Sequence, residues 1–203
     1  MQKPAPTAYP IHDFLRNRWS PRAFSSQPIE TETLLSLFEA ARWSPSGVNL
    51  QPWSFIVTFQ SDPEPYARLL QTLSPNNLSW AKAAPVLVLT VVQREYEPGK
   101  PINSGLYDLG QSVAHLTFQA SAQGISVHQM GGFDRPKARE LFNLPEGYDP
   151  ATVLALGYAG DPDQLPGEMR ERELGPRTRK PLGDFVFNGA WKEPIVPSEP
   201  SIS

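Results

Sequence analysis

Residues Glu39 to Phe55 read EAARWSPSGVNLQPWSF, and a helix, an irregular loop and a strand meet in that one stretch. Its first residues end a helix predicted over Thr31 to Arg42, with Leu34, Leu35, Phe38 and Ala41 on one face. Thr31 is the expected N-cap, and Glu32 sits where a helix N-terminus favours negative charge. Pro45, Gly47 and Pro52 then force an irregular loop. From Trp53 to Phe59, WSFIVTF reads as a strand rich in aromatic and β-branched residues. Ser46, Asn49 and Gln51 place polar side chains and exposed amides beside Trp43 and Trp53. Such a loop suits a planar, amphipathic heteroaromatic ligand. It equally describes a rigid turn whose Asn and Ser bond to their own backbone.

Outward from this stretch, Ile11 to Arg18 predicts a short helix after a Pro-rich arm, and Tyr66 to Leu73 another. Pro85 to Val92, PVLVLTVV, has no polar alternation beyond Thr90 and reads as a strand buried on both faces. Over Gly105 to Gln123, Leu106, Leu109, Val113, Leu116 and Ala120 recur in steps of three and four. That seam suits helix packing in the core, and part of this helix could equally serve a dimer interface. Gly124 is the expected C-cap. Ile125 to Met130 predicts a strand, Asp134 caps a helix running to about Phe142, and Ala151 to Tyr158 predicts another buried strand. Beyond Asp161 the chain turns charge-rich and Pro/Gly-punctuated. Phe185, Phe187 and Trp191 there call for a burial partner, for which a second subunit is a candidate.

Length and composition narrow the function. A chain of 203 residues with 39% apolar content fits a single domain over 1–203, with Pro-rich extended ends at 1–10 and 192–203. The 23 prolines mostly punctuate loops and both ends. A net charge of −3 provides no global positive field for nucleic acid, so any anion site must be local. Cys is absent, which excludes disulfides, thiolate nucleophiles and Cys-ligated metals. No apolar run reaches the roughly 18 residues that span a bilayer, and MQKPAPTAYP holds no signal-peptide core. A cytoplasmic protein with no membrane partner is expected, which makes the N-x-S match at Asn77 a chance one. No GxGxxG, GxxxxGK[ST] or GxSxG is present, and His12, His115 and His128 lack a second ligand at metal spacing.

Two cationic stretches stand out instead. Arg18-Trp19-Ser20-Pro21-Arg22-Ala23-Phe24 follows the first helix, and Arg177-Thr178-Arg179-Lys180-Pro181-Leu182 lies near the other end. Arginine binds phosphate oxygens bidentately and a Ser hydroxyl adds a donor. Either stretch alone also reads as a solvated surface turn.

Taken in order, these features resemble the nitroreductase family of FMN enzymes. The R-x-S-x-R-x-F motif is matched by Arg18, Ser20, Arg22 and Phe24, and Glu39 to Phe55 matches the family's E-A-A-R-x-x-P-S-x-x-N-x-Q-P-W-x-F stretch. Asn76 with Ala84-Pro85, the Met130 to Asp134 turn and the RTRKPL segment extend the likeness over about Phe14 to Val186. The resemblance implies that Arg18, Ser20, Arg177 and Arg179 hold the FMN phosphate. Arg22 would face the pyrimidine edge of the flavin. Pro45, Ser46, Gly47, Asn49 and Gln51 would line the ring and ribityl chain, the first three from the partner subunit. Asn76 would touch the ring, and Gly131 and Gly132 would offer backbone N–H. Gly131 stands where some relatives carry an acidic residue, and Ser79 where some carry a Lys.

The fold so implied is α+β: a mixed, mostly antiparallel central sheet flanked by helices, with the C-terminal arm around Phe185 exchanged between the subunits of a homodimer. The implied activity is ping-pong hydride transfer from NAD(P)H through the flavin to a nitroaromatic, quinone or related small molecule. No protein side chain is expected to be catalytic and no metal is expected. Competing readings are a specialised flavin enzyme (dehalogenase, enal or aldehyde reductase, flavin-degrading), a non-catalytic flavin carrier, and a Pro-rich helical domain without cofactor.

Overall fold

The computed structural model describes residues 3–195. Seven helices occupy Asp13–Asn17 (α1), Thr31–Arg42 (α2), Pro63–Leu70 (α3), Pro75–Ala81 (α4), Gly105–Ala122 (α5), Arg135–Leu141 (α6) and Gly167–Leu174 (α7). Four strands, Trp53–Phe59 (β1), Val86–Gln93 (β2), Ser126–Met130 (β5) and Tyr148–Gly157 (β6), form one sheet in the order β1-β2-β6-β5. A short hairpin of Glu95–Glu97 (β3) and Lys100–Pro101 (β4) stands apart.

The sheet is sandwiched between helices because its two central strands are apolar on both faces. Leu87, Leu89 and Val91 of β2, with Val153 and Ala155 of β6, pack against Leu69 of α3 and Trp80 of α4. The alternate residues Val86, Val88, Leu154 and Leu156 pack against Leu37 of α2 and Leu116 of α5. Strand periodicity of two delivers both sets from one apolar run. Every ladder of the four-stranded sheet is antiparallel, so among the described residues it has no parallel pair and is less mixed than the expected sheet.

β6 starts at Tyr148, earlier than the expected Ala151, and runs through Pro150 by means of a bulge. Thr90 pairs with Thr152 while Val91 pairs with Pro150. The Thr90 hydroxyl accepts from the Thr152 N–H at 3.0 Å and lies 3.0 Å from the Thr152 carbonyl, to which it can donate. One buried side chain thereby covers the interruption that proline brings to a ladder.

The helix termini follow their caps. α5 ends at Ala122 with Gln123 as its C-cap, and Gly124, the expected cap, follows it with a left-handed φ of 72°. Gly124 N–H donates to Ser121 O and Ile125 N–H to Ala120 O, the two bonds of a Schellman motif. Asp134 caps α6 by accepting from Lys137 N–H. At α2 the N-cap is Glu30 rather than Thr31, and no side chain caps the turn. Its buried face is Leu34, Leu37 and Ala41, whereas Leu35 points outward.

α4, α7 and the β3–β4 hairpin were not expected. α4, PNNLSWA, is dominated by Pro, Asn and Ser, residues that favour caps and turns over helix interiors. Ser74 caps it and Trp80 and Ala81 anchor it in the core. α7, GEMREREL, has no apolar stripe and buries only Glu173. The C-terminal arm turns back on itself: Phe187 pairs with Pro194 and packs edge-on against Trp191, while Phe185 and Trp191 stay exposed. The Pro-rich tail beyond 195 lies outside the described residues. Among those residues no helix is long and apolar enough to cross a membrane.

Candidate functional site

The two cationic stretches, far apart in sequence, meet at the surface beside α1. Arg18 closes α1, and the Arg177 guanidinium donates to the carbonyl of Arg16, in α1's last turn, at 2.9 Å and to Lys3 O at 2.7 Å. Burial first, and then the Arg179 charge, holds the Arg18 guanidinium below its usual range. Arg177 is lowered by burial, then by Arg18 and Arg179. Arg18 Nη1 donates to Ser20 Oγ at 3.4 Å. Among the described residues, no carboxylate pairs with Arg18, Arg177 or Arg179. Guanidinium groups stay protonated at neutral pH, so this is a cluster of like charge with a local positive field.

The loop that continues from Ser20 is clamped from two sides. Arg22 N–H and Ala23 N–H donate to the Glu173 carboxylate at 2.8 and 3.1 Å, and Arg22 Nη1 lies 3.8 Å from Glu173 Oε2. On the other side, His128 Nδ1 of β5 is 2.9 Å from Pro21 O, with its ring against Trp80. Burial brings the His128 pKa down to about 4, so at neutral pH the ring is uncharged. The tautomer with its proton on Nδ1 donates to Pro21 O.

β5 leads directly into Gly131 and Gly132. The Gly132 carbonyl accepts from Ser74 N–H and from Asn77 Nδ2, which fastens this turn to the start of α4. A Cβ on Gly132 would stand 3.0 Å from Asn77 Nδ2, whereas Gly131 faces open space. Asn76 is exposed on the same turn of α4, and its neighbour Asn77 makes the bond to the glycine turn. Arg18, Ser20, Arg22, Asn76, Gly131, Gly132, Arg177 and Arg179 therefore share one side of the molecule, around the β5 edge of the sheet.

Pro45, Ser46, Gly47, Asn49 and Gln51 lie elsewhere, in the loop that enters β1 at the opposite edge. Val48, Asn49 and Gln51 all have left-handed backbone, with φ of 51°, 58° and 50°. For β-branched Val48 this is a strained state, which costs on the order of 1–3 kcal/mol. Ser46 Oγ accepts from Gln51 N–H, and Gln51 Nε2 donates to Asn49 O, so part of the loop is self-bonded. Gly47 N–H donates to Asp108 Oδ2 in the first turn of α5 at 3.2 Å. A Cβ at Gly47 would come within 2.9 Å of Ser104 Oγ. Even so, Val48 is 94% exposed and Trp43 is exposed beside it.

α5 measures the separation. The loop is tied to Asp108 at its start, whereas Ser121 Oγ in its last turn donates to Phe14 O of α1, beside the arginine cluster. At roughly 1.5 Å per residue those two ties are about 20 Å apart along the helix. The Gly47 loop and the arginine cluster therefore lie toward opposite ends of that helix. The predicted seam on α5 is mostly core, with Leu109, Val113, Leu116 and Ala120 buried, but Leu106 is exposed. A second, outward stripe carries Tyr107, Gly110 and Phe118.

Residues 15–158 match the nitroreductase family. The chain belongs to that family. A Mycolicibacterium smegmatis relative, an uncharacterized 15.4 kDa protein, is 36% identical over 134 residues, covering 65% of this chain and 88% of its own. A Rhodopseudomonas palustris relative, provisionally named NADH dehydrogenase/NAD(P)H nitroreductase, is 28% identical over 70% of this chain and 81% of its own. Among solved structures, an oxidoreductase containing FMN superposes with a TM-score of 0.87 at 33% identity, over 93% of this chain and 96% of that one. A nitroreductase family protein of Clostridium difficile has a TM-score of 0.69 at 24% identity, over 88% and 97% of the two chains, and shares the fold.

In this nitroreductase-family chain, three side chains that shape the candidate site escaped the sequence reading: Asp108, His128 and Glu173. His128 has no second ligand at metal spacing in the sequence, and among the described residues no group of three or more His, Asp or Glu is arranged to hold a metal ion. Asp108 stands on the buried side of α5 between Gly105 and Leu109, a charged residue on an apolar face, and that signal was available. Glu173 gave no signal, because the helix around it is polar on every side.

Proposed function

We propose that this protein is an FMN-dependent oxidoreductase that works as a homodimer, taking hydride from NAD(P)H and reducing a nitroaromatic, quinone or related electron-poor small molecule. The observation that carries this reading is the convergence of Arg18, Arg177 and Arg179 without a carboxylate partner among the described residues. A phosphate monoester, close to a dianion at neutral pH, fits that cluster. Each charge-assisted hydrogen bond contributes about 1.5–3 kcal/mol. Three arginines and Ser20 could thus provide a large share of the roughly 8–12 kcal/mol that micromolar to nanomolar binding requires. The chemistry supplied by bound FMN is two-electron hydride transfer, for which no protein nucleophile is needed.

The chain's own residues bind and orient. Arg22, on the clamped loop, would lie toward the pyrimidine edge, where a fixed cation favours the reduced, anionic flavin. Gly131 and Gly132 would present backbone to the ring, with Asn76 beside them. The strained Val48 loop of a second copy would close the site with Pro45, Ser46 and Gly47; Asn49 and Gln51 lie in that same loop, so they would come from the second copy as well, a change from what the resemblance implied. The 20 Å separation along α5 supports such sharing, and so do the exposed Tyr107 and Phe118. The exposed Phe185 and Trp191 would find cover on that same partner. The resemblance and the family membership support the same assignment.

The test is a visible absorption spectrum of the purified protein with FMN supplied, followed by NADH or NADPH oxidation with an added quinone. A yellow protein that turns over is expected. A colourless one overturns the proposal, and a yellow one without turnover is a flavin carrier.

A further inference from the structure

Asp108 and Glu173 are the two carboxylates buried among the described residues, and each accepts backbone N–H from one of the two loop groups described above. Glu173, with 1% of its surface exposed, is the more consequential. Its Oε1 accepts from the successive N–H groups of Arg22 and Ala23 at 2.8 and 3.1 Å, and Oε2 faces the Arg22 guanidinium at 3.8 Å. Burying a carboxylate costs several kcal/mol unless hydrogen bonds and a counter-charge replace its water. Here both do. Glu173 also occupies the last turn of α7, and the chain runs from there through Gly175 straight to Arg177 and Arg179. Its own carbonyl accepts from Lys3 Nζ at 2.6 Å.

The geometry points to Glu173 as a positioning residue with two roles: it fixes the spacing between the Arg18–Arg22 and Arg177–Arg179 stretches, and it moderates the charge that Arg22 presents to its ligand. Arg177 also reaches Arg16 O, but among the described residues Glu173 is the one side-chain carboxylate that ties the Arg22 loop to the chain entering Arg177 and Arg179. Loss of the carboxylate would leave two buried N–H groups unpaired and would release the loop. Neutralising it while keeping an acceptor oxygen would hold the loop and expose the full Arg22 charge. This rests on the flavin reading above for its effect on FMN, but not for its effect on the loop.

Glu173→Gln and Glu173→Leu separate the two roles. Glu173→Leu should raise the FMN dissociation constant about tenfold or more, the effect of losing one charge-assisted contact. Glu173→Gln should bind FMN within about threefold of the unmodified protein while moving the flavin reduction potential positive, because Arg22 has lost its counter-charge. A Glu173→Gln potential equal to that of the unmodified protein, or unchanged FMN binding in a folded Glu173→Leu protein, overturns the inference. Amide hydrogen exchange without flavin distinguishes this from failure of the flavin reading itself. Arg22 and Ala23 should exchange about tenfold faster in Glu173→Leu, or in Glu173→Ala if the Leu variant does not fold. Equal rates refute Glu173's hold on the loop, whether or not the protein binds FMN.

Discussion

The amide of Gly47 donates to Asp108 Oδ2 at 3.2 Å, and that bond joins a loop with three left-handed residues to the first turn of the central helix. Ser104 Oγ donates to the same oxygen at 2.8 Å. Replacing Asp108 by Ala should therefore strand two donors and destabilise the fold by about 1–3 kcal/mol, with Asn intermediate. Urea unfolding at fixed protein concentration measures this. A midpoint that does not move would mean the loop holds its shape without the tie.

Because the arginine cluster and the Gly47 loop sit at opposite ends of α5, complementation between damaged chains is expected. Arg179→Ala should bind FMN about tenfold or more weakly, the value of one charge-assisted contact. A Gly47→Val chain should also bind poorly, since a Cβ there meets Ser104 Oγ at 2.9 Å. Co-expressed, the two chains should recover FMN binding in a fraction of sites, because one site of each mixed dimer has both parts intact. Titration of FMN fluorescence reads it out, and a mixture no better than its components argues against a shared site.

Arg22 should set the electron affinity of the bound flavin. Its guanidinium is partly exposed and stands 3.8 Å from Glu173, so on the proposed reading part of its positive field is left for the flavin. Arg22→Met removes that field with little loss of volume, so the reduction potential should become more negative. Spectroelectrochemical titration decides the matter, and an unmoved potential places Arg22 away from the ring.

His128 predicts acid sensitivity of a definite sign. Burial lowers its pKa in the folded protein from 6.5 to about 4, the Pro21 carbonyl opposes that, and the Arg22 charge adds to it. The unfolded chain therefore takes up this proton first as pH falls. The contribution is complete above about pH 6.5 and is lost as pH drops toward 4. Between pH 7 and 5 the loss is on the order of 2 kcal/mol. Stability of His128→Gln measured over the same range should fall by correspondingly less, and parallel curves would show that His128 is not the group responsible.

Much of the fold was legible because its determinants are local. An unbroken apolar run announced β2 as doubly buried, Gly124 announced the end of α5, and Asp134 announced the start of α6. Leu35 misled, because a periodicity argument cannot tell which of two adjacent leucines lies at the centre of a face. α4 was hidden by its Pro, Asn and Ser content, since what stabilises it is the burial of Trp80 and Ala81 against strands from other parts of the chain. α7 was hidden for a similar reason, being stabilised through one buried carboxylate.

The amino-acid order alone determined most of the strands and helices, the irregular loop at Pro45 to Pro52 and the presence of two cationic stretches, because each depends on neighbours a few residues away; the layering of helices around a central sheet was implied by the family resemblance. Only the folded chain decided that Arg18 meets Arg177 and Arg179, that Glu173 rather than solvent receives the Arg22 and Ala23 amides, and that the Gly47 loop lies at the far end of α5. The physical reason is that a charge or a polar group has no fixed meaning until its surroundings are known. In water an arginine is a solvated surface residue; beside two others, with no carboxylate partner among the described residues, it joins a cluster of like charge that on the proposed reading holds an anion.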